Sequence, residues 1–386
     1  MKNNLLWMLT AAVIAMNITS CERRPADYDE ETIQLAPANC FVVTAPGAYA
    51  FKALKGNSTL GVGEVATVEV LWESFGTMEK PARESIVKEV SYTYYDSMIR
   101  FTTQPTLQNG NALIAAKDES GNILWSWHIW VCKGWNPDKT AHSYANGAGT
   151  MMDRNLGATS AVPGDVAALG LLYQWGRKDP FLASGKISEN SEAASTLDWP
   201  EPVLSDTHTG TIAFSVAHPT TYIASVEDNY DWYYTGSYST ENSRWQEEKT
   251  MYDPCPAGWK VPYGPTAEHN GFWGTASGKT FVIINPDKEL CGYDFHGIFS
   301  NSGLIWYPFA GFRDDVAGKL SATGSNAGSW TSAADLDEID PNAKVMAFGL
   351  DCSYTSQGDM MVFMNNDYFR AVAHSVRCIK DTPTNN

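Results

Sequence analysis

The sequence predicts two folded parts: an N-terminal all-β sandwich and a C-terminal α+β domain that is rich in loops. The first prediction rests on residues 40–132, where short β-prone runs alternate with turn-forming residues. The second rests on the chain beyond residue 149, which has many Gly, Asn, Ser, Trp and Tyr residues and few periodic stretches. With 386 residues, 44% of them hydrophobic, the chain is long enough for two such domains.

Residues 1–20 have the pattern of an export signal. An apolar run and a small-residue stretch follow Lys2, and Cys21 stands where such a signal is cut. This resembles a bacterial lipoprotein signal, so we expect residues 1–20 to be removed and Cys21 to be lipidated. The run is also short for a membrane span, which needs about 20 apolar residues. Cleavage elsewhere, with Cys21 as an ordinary residue, is the alternative.

Residues 21–33 are charged and contain a proline, which predicts a solvated tether between the lipid and the fold. The mature chain is therefore expected to be lipid-anchored in the outer membrane. We favour the cell surface over the periplasmic face.

The chain is strongly acidic, with a formal net charge of -17 and a pI of about 4.8. Loss of Lys2 with the signal makes the mature chain one unit more negative. Because such a field repels phosphate backbones, the sequence predicts no nucleic-acid partner.

Residues 34–135 form the predicted sandwich, which is immunoglobulin-like in its succession of short strands and turns. Asp118 and Asn122 bound a turn-forming cluster that predicts a hairpin. The seven predicted strands are CFVV, AYAF, ATVEVLW, EVSYTYY, MIRFTT, ALIAAK and ILWSWHIWV.

The last of these runs has bulky residues on both strand faces. Leu124, His128 and Trp130 share one face with Ser126, and Trp125, Trp127 and Ile129 share the other. We therefore predict a strand buried on both sides, with His128 as a core histidine, and not an exposed aromatic platform.

Residues 136–147 are predicted to be a linker, residues 148–381 the second domain, and residues 382–386 a tail. The only helix-like window of the second domain begins near Asp165, which can cap a helix that continues to about Leu172. Gly176 and Pro180 follow it.

Six cysteines remain when Cys21 is assigned to the lipid, and six thiols can form three bridges in fifteen ways. In an exported chain without close CxxC spacing, structural thiols or disulfides are favoured over catalysis. The histidines are spread singly and there is no HExxH motif, so a zinc site has little support. The six are Cys40, Cys132, Cys255, Cys291, Cys352 and Cys378.

Six phrases in the second half occur in the order of the motifs of a known family: MMDRNLGA, LGLLYQWGRKDPF, YDPCPAGWKVP, YPFAGFRDD, GSWTSA and HSVRCIKD. They resemble the Fibrobacter succinogenes major paralogous domain, which is found in exported and surface proteins of the Bacteroidetes. The resemblance implies that residues 148–381 have a fold similar to C-type lectin-like and formylglycine-generating-enzyme-like domains. It also implies a Bacteroidetes lipoprotein.

The resemblance further implies that Cys255 pairs with Cys378, because the family fold brings these two regions together. Closing so long a loop is worth up to about 4–5 kcal/mol. We expect Cys291 with Cys352 as a second bridge, and Cys40 with Cys132 as a bridge within the first domain.

C-type lectins that bind sugar hold calcium with acidic and amide side chains, and two loops here match that order. Asp340 and Asn342 flank a proline, and Asn366 and Asp367 follow the next predicted strand. Oxygen ligands of this kind suit calcium. Ordinary turn chemistry explains the same residues and is the default, so no cofactor is expected unless these four side chains converge on one calcium ion.

Residues 184–244 form a long segment in which aromatic residues alternate with short polar ones, a composition typical of binding surfaces. The alternative is that these rings fill a core poor in regular structure. If a ligand site exists, its first candidates are Tyr230, Trp232, Tyr233, Tyr234 and Tyr238.

Two charge clusters, Arg154-Asn155 and Arg177-Lys178-Asp179, invite a catalytic interpretation. No nucleophile or acid–base pair is spaced with them, so ion pairs that hold the fold are favoured. No catalytic residue is predicted.

The sequence therefore predicts a non-catalytic, lipid-anchored envelope protein with an extracellular binding or attachment role, adhesin-like or fimbria-associated. A glycan or a surface protein is the expected partner. A glycan-acting enzyme and a purely architectural subunit of a surface assembly are the alternatives.

Overall fold

The computed structural model of the chain describes residues 32–226, 230–236, 241–335, 346–354 and 359–382. It is mostly β, with 38% strand and 7% helix in several sheets. The predicted signal and Cys21 lie outside the described residues. Within the described ranges, no helix has the length and apolar character that crossing a bilayer requires.

Eight strands form the first part, and they include all seven predicted runs. Two four-stranded sheets result, in the orders β1-β3-β6-β5 and β2-β8-β7-β4. The strands are β1 (Ile33–Gln34), β2 (Cys40–Val43), β3 (Ala48–Lys52), β4 (Thr67–Ser74), β5 (Val87–Thr93), β6 (Met98–Thr103), β7 (Gly110–Lys117) and β8 (Ile123–Val131).

The two sheets pack face to face, since one hydrophobic cluster contains residues of both. Phe51 of β3 and Phe101 of β6 meet Ile114 of β7 and Trp127 of β8 in this cluster, and the ring centroids of Phe51 and Trp127 are 5.2 Å apart. The predicted sandwich is thus present as two packed layers. Its hairpin is also confirmed, because the Asp118 carboxylate accepts the backbone N–H of Asn122 at 2.9 Å.

Strand β8 is buried on both faces, as predicted. Trp125 and Trp127 enter the sandwich core, while Trp130 packs in a second cluster that contains residues of the C-terminal half. His128 is buried as well, and its Nε2 lies 2.9 Å from Asn111 Oδ1.

The second part contains short helices and many short strands. Its helices are α1 (Pro137–Thr140), α2 (Ile212–Ala217) and α3 (Gly271–Ser277), with 3-10 turns at Ala145–Gly147 and Val166–Ala168. Its strands are β9 (His142–Tyr144), β10 (Gly149–Met151), β11 (Leu171–Gln174), β12 (Phe181–Leu182), β13 (Val203–Leu204), β14 (Ile223–Ala224), β15 (Trp259–Lys260), β16 (Phe281–Ile284), β17 (Gly292–Asp294), β18 (Trp306–Pro308), β19 (Phe312–Arg313), β20 (Leu320–Ser321), β21 (Ala327–Ala334), β22 (Met346–Tyr354), β23 (Met360–Phe369), β24 (Ala373–Ser375) and β25 (Ile379–Lys380).

A nine-stranded sheet dominates this part. Its main path runs β12-β11-β24-β21-β22-β23-β16, and β19 joins it through β24 and carries β20. A smaller sheet has the order β15-β25-β10-β9, and β13-β14 and β17-β18 form two separate pairs.

The predicted helix after Asp165 is shorter than expected. Asp165 does cap a helix, accepting the Ala167 N–H at 3.0 Å, but only the single 3-10 turn Val166–Ala168 forms. Gly170 then adopts a φ of +80°, where a Cβ would lie 2.8 Å from the Leu156 carbonyl oxygen. The chain turns there, and Leu172 belongs to β11, which pairs with β24.

The two predicted parts share a hydrophobic core. Trp72 and Trp130 of the first part lie in one cluster with Trp175 and Trp259 of the second. Polar contacts accompany them, since Asn39 Nδ2 donates to the carbonyl oxygens of residues 251 and 253 at 2.7 and 2.8 Å. Residues 136–147, the predicted linker, hold α1 and β9, and β9 pairs with β10 of the second part.

Cys255 and Cys378 form a disulfide, which confirms that prediction. The other two predicted bridges are wrong, because Cys40, Cys132, Cys291 and Cys352 are free and buried.

The strand register explains why Cys40 cannot reach Cys132. Cys40 lies beside His128 in the parallel pair β2-β8, so Cys132 is four residues further along, or about 13 Å away. A disulfide needs Cα atoms within about 7 Å. The Cys132 sulfur instead lies 3.2 Å from Nη1 of Arg154.

The other two thiols have separate surroundings. The Cys291 thiol donates to the Lys288 carbonyl oxygen at 3.5 Å, while Cys352 lies near the end of β22 inside a hydrophobic cluster. Burial raises the pKa of the Cys352 thiol well above its usual value, so this thiol stays protonated.

His374 is a second buried histidine. Its ring lies 4.2 Å from that of Tyr368 and 5.0 Å from that of Trp330, and neither ring nitrogen has a hydrogen-bond partner among the described residues. Burial lowers the pKa of His374 from 6.5 to about 3. The same cause lowers the pKa of His128 to about 3.

This burial predicts acid lability, and replacing His374 should remove the part of it that this histidine contributes. Unfolded His374 takes up a proton near pH 6.5 and the folded ring does so only near pH 3, so stability is lost as the pH falls below about 6.5. At about pH 4.5 the loss is about 2–3 kcal/mol for each buried histidine. The free energy of unfolding of His374→Phe, measured with urea and expressed relative to the wild type, should therefore be higher by that amount at about pH 4.5 than at about pH 7.5. His208→Phe, at an exposed position, should gain nothing, and equal pH dependence of all three proteins would contradict the prediction.

Candidate functional site

A cleft with an aromatic floor lies in the second part, and we call it the Trp199 pocket. Its volume is about 410 Å³, within the range of about 300–1,000 Å³ that is usual for sites of small ligands. It is lined by Phe181, Asn190, Glu192, Trp199, Pro200, Glu201, Pro202, Thr220, Tyr222, Arg313, Ala317, Gly318, Lys319 and Leu320.

One wall is the segment Trp199-Pro200-Glu201-Pro202. The two prolines fix their own φ angles, which limits the conformations of this wall. Trp199 Nε1 donates to Ser195 Oγ at 3.0 Å, and the Trp199 ring lies 5.8 Å from the ring of Trp72. The wall is thus fixed at its start by the shared core, and its Trp199 ring stays half-exposed.

The opposite wall is the turn between β19 and β20. Asp314 holds this turn, since its carboxylate accepts the Ala317 N–H at 2.6 Å and the Val316 N–H at 3.1 Å. Gly318 has a φ of +64°, and a Cβ there would lie 2.7 Å from the Tyr222 ring. Only glycine therefore lets the turn approach the floor so closely.

Phe181 and Tyr222 form the floor, with ring centroids 5.0 Å apart. The Tyr222 hydroxyl donates to the Ala371 carbonyl oxygen at 2.6 Å and also lies 2.9 Å from the Asp314 carbonyl oxygen. Burial raises the pKa of Tyr222 well above its usual value, so the hydroxyl remains a donor. The polar end of the floor is thus bound to two other segments of the chain, at Asp314 and at Ala371.

Charged groups of both signs surround the floor. Arg313 is buried, donates to the carbonyl oxygens of residues 182 and 318 at 2.7–2.9 Å, and forms an ion pair with Glu192. Glu201 and Lys319 are exposed at the rim. Two carboxylates and two cations thus balance, and the pocket offers donors and acceptors around an aromatic surface.

The two charge clusters of the sequence lie elsewhere and are buried. Lys178 Nζ donates to Asp179 at 2.7 Å and to Ser126 Oγ at 2.6 Å, and it lies 4.6 Å from the centre of the Trp125 ring. Burial lowers the pKa of Lys178, and the charge of Asp179 opposes this effect. This contact joins β8 to the second part, as expected of a structural ion pair.

Arg154 is held in the same way. It forms an ion pair with Asp153 at 2.9 Å, and its guanidinium carbon lies 4.3 Å from the centre of the Trp135 ring. The neighbouring Asn155 accepts from Arg377 Nε at 3.0 Å. The described contacts of both clusters are therefore contacts within the fold.

Trp232, a predicted ligand residue, is buried, so that prediction is wrong. Its ring lies 4.5 Å from the Arg244 guanidinium and 5.7 Å from that of Arg177, and its Nε1 donates to the Trp175 carbonyl oxygen at 2.8 Å. Arg244 in turn pairs with Asp231 at 2.7 Å. Cationic side chains and indole rings thus pack against one another in the interior. This agrees with the alternative interpretation of the segment, in which its rings fill a core poor in regular structure.

The other candidates of this segment are less enclosed. Tyr230 is half-buried and stacks on Phe369 with ring centroids 4.1 Å apart. Tyr233 and Tyr234 are also half-buried. Tyr238 lies outside the described residues.

The predicted calcium ligands fall into two groups. Asp340 and Asn342 lie outside the described residues, whereas Asn366 and Asp367 are consecutive residues of β23. Consecutive side chains of a strand point to opposite faces, so these two do not meet on one ion. No group of three or more His, Cys, Asp or Glu side chains is arranged to hold a metal in the part of the chain that the structure covers.

The sequence predicted a recognition surface in residues 184–244. Trp232 of that segment is buried, whereas Tyr230, Tyr233 and Tyr234 are half-buried and stay candidates. Trp199 and Tyr222 were only two of its many aromatic residues, and Glu192, Glu201 and Arg313 were not singled out. The Trp-Pro-Glu-Pro run was the available signal, since a tryptophan next to fixed backbone is a good candidate for a rigid wall. Arg313 is more than a hundred residues away, and no local pattern connects it with this run.

No protein-family model, curated protein or solved structure matches the chain.

Proposed function

We propose that this chain is a lipid-anchored envelope protein that binds an extracellular ligand, without catalysis, through the Trp199 pocket. The pocket carries the proposal, because it combines an aromatic floor with polar groups of both signs. We propose that the second part of the chain belongs to the Fibrobacter succinogenes major paralogous domain and has a C-type lectin-like arrangement. The first part of the chain is proposed to be immunoglobulin-like. The role is attachment, adhesin-like or fimbria-associated.

The ligand we propose is a neutral sugar unit of a glycan. A sugar ring has an apolar face that packs on an indole such as Trp199, and hydroxyls around its edge that suit the carboxylates of Glu192 and Glu201 and the ammonium of Lys319. The charge balance of the pocket and the negative charge of the chain disfavour sulfated or uronic polymers.

Trp199→Ala and Glu201→Gln should each weaken binding of a neutral glycan about tenfold or more, which corresponds to about 1.4 kcal/mol. The full chain in detergent is screened on an array of neutral, acidic and peptide ligands, and the best ligand is then titrated by calorimetry. Tyr95→Ala and Glu119→Gln remove an exposed aromatic and an exposed carboxylate that do not line the pocket, and they should not change binding. If all four variants bind the glycan as the wild type does, the ligand does not bind in the Trp199 pocket. If no ligand of the array binds the wild type, the proposed binding role is wrong.

The lipid anchor has its own test. Cys21→Ser removes the sulfur that the proposed lipid would occupy, so labelling with a fatty-acid analogue in cells should disappear. Cys40→Ser, a substitution at a buried free thiol, should leave labelling intact. Labelling that survives Cys21→Ser would contradict the anchor.

A second candidate is a glycan-acting enzyme, which one observation favours: Glu192 and Glu201 line the same pocket. Glycoside hydrolysis uses two carboxyl groups that flank the scissile bond. If the wild type releases reducing sugar and Glu201→Gln does not, the chain is a glycan-acting enzyme and the non-catalytic proposal is wrong. If the wild type binds the glycan without releasing product, the proposed binding role stands.

A further inference from the structure

Strand β16 ends the nine-stranded sheet and is an open edge as far as the described strands show. It pairs with β23 on one side, in the register Phe281 to Phe363, and with no other described strand. The Thr280 carbonyl oxygen accepts the Met364 N–H at 2.9 Å, so Thr280 and alternate residues after it direct their backbone groups toward β23. Phe281 and Ile283 therefore direct theirs away from the sheet.

The side chains of these two residues are unusually exposed for their type. Phe281 is 47% exposed and Ile283 is 60% exposed, whereas Val282 and Ile284 are buried. On the exposed face they lie beside Phe363 and Met361 of β23, both half-buried. An edge of this kind, uncharged and apolar, is a template for another strand.

Two other sheet edges, those of β4 and β5, are protected in ways that β16 is not. Strand β4 has a bulge between Val70 and Trp72, and β5 has one between Val87 and Glu89. Charged residues also line both strands, and Glu73 accepts the Ile86 and Val87 N–H groups at 2.7 and 2.9 Å. Strand β16 pairs with β23 without a bulge and has no charge from Thr280 to Pro286.

We infer that β16 is an interface for a second copy of this chain, with the two β16 strands paired antiparallel about a twofold axis at Val282. This register sets Phe281 of one copy beside Ile283 of the other, so their outward backbone groups bond to each other and their side chains share a face. It is self-complementary, as a twofold interface must be.

The charges at the two ends fit the same arrangement. Lys279 precedes the strand and Asp287 follows it. With the axis at Val282, Lys279 of each copy lies opposite Asn285 of its neighbour and two residues from Asp287, so the two opposite charges are diagonal neighbours. A parallel arrangement would place like charges together at both ends.

The test is sedimentation equilibrium of the full chain in a density-matched detergent, over a concentration series. The wild type should be a reversible dimer. Ile283→Pro removes an outward N–H that β23 does not use, and Ile283→Lys adds a charge, so both variants should be monomers. Leu60→Lys places the same charge at an exposed leucine of the first part and should leave the dimer intact.

Two results would overturn the inference. One is a wild type that stays monomeric throughout the series, even if a foreign strand binds β16. The other is a dimer that Ile283→Pro and Ile283→Lys leave unchanged. Circular dichroism and the melting curve of each variant serve to check that it is folded. A folded monomer then shows that the substitution removed the dimer contact and not the fold. Glycan binding through the Trp199 pocket is independent of either outcome.

Discussion

Replacing Cys255 and Cys378 together with alanine should lower the free energy of unfolding by about 4–5 kcal/mol. The bridge joins residues that are 123 positions apart, so it removes a large part of the entropy of the unfolded chain. It also fixes the turn before β15 to the residue before β25, where Trp259 and Lys260 pair with the last strand. Urea unfolding of wild type and variant measures the difference.

The matched control is Cys352→Ala. Cys352 is as fully buried as the two bridged cysteines but carries a free thiol, so this variant reports only the loss of a buried sulfur. We expect a cost of about 1 kcal/mol from the lost volume. A double variant that unfolds no more easily than Cys352→Ala would show that the bridge contributes little.

Replacing Lys178 with methionine should cost about 3–5 kcal/mol, because it leaves the Asp179 carboxylate buried without its cation. Both side chains are almost fully enclosed, and Ser126 Oγ at 2.6 Å is the other group that donates to Asp179. The pair lies where β8 meets the second part, so its loss should destabilise both parts together. Urea unfolding followed by tryptophan fluorescence measures the change.

Two further variants make this test specific. Lys178→Met with Asp179→Leu removes both charges and should recover most of the loss, since a buried ion pair is often no more stabilising than an apolar pair of similar volume. Lys186→Met breaks an exposed pair with Glu189, which solvent screens, so it should change the stability little. If Lys178→Met and Lys186→Met lower the free energy of unfolding equally, the buried pair contributes no more to stability than an exposed one, and the prediction is wrong.

The Trp199 pocket depends on the same scaffold. Its floor is held by the Tyr222 hydroxyl, and one wall rests on Trp72 of the first part. Loss of the contacts between the parts should therefore weaken the pocket as well as the fold. Variants of the pocket rim, such as Glu201→Gln, are expected to act on binding alone, because Glu201 is exposed.

Local features of the fold followed from the sequence. Alternating residues and turn chemistry placed the seven β-prone runs of the first part, the hairpin after Asp118, and the burial of β8 on both faces. Each of these signals is contained within about ten residues. The Cys255–Cys378 bridge was also anticipated, although from the resemblance of ordered motifs and not from spacing.

The tertiary structure decided everything that depends on distant segments meeting. It left Cys40 and Cys132 unpaired, buried Trp232 between two arginines, assembled a pocket from Trp199 and Arg313, and left β16 as an open edge. The period of a strand shows that it has two faces but not what covers either face or which strand lies beside it. Those choices follow from packing over the whole chain, so seven strands of the first part could be predicted from the sequence, whereas the contacts between distant segments could not.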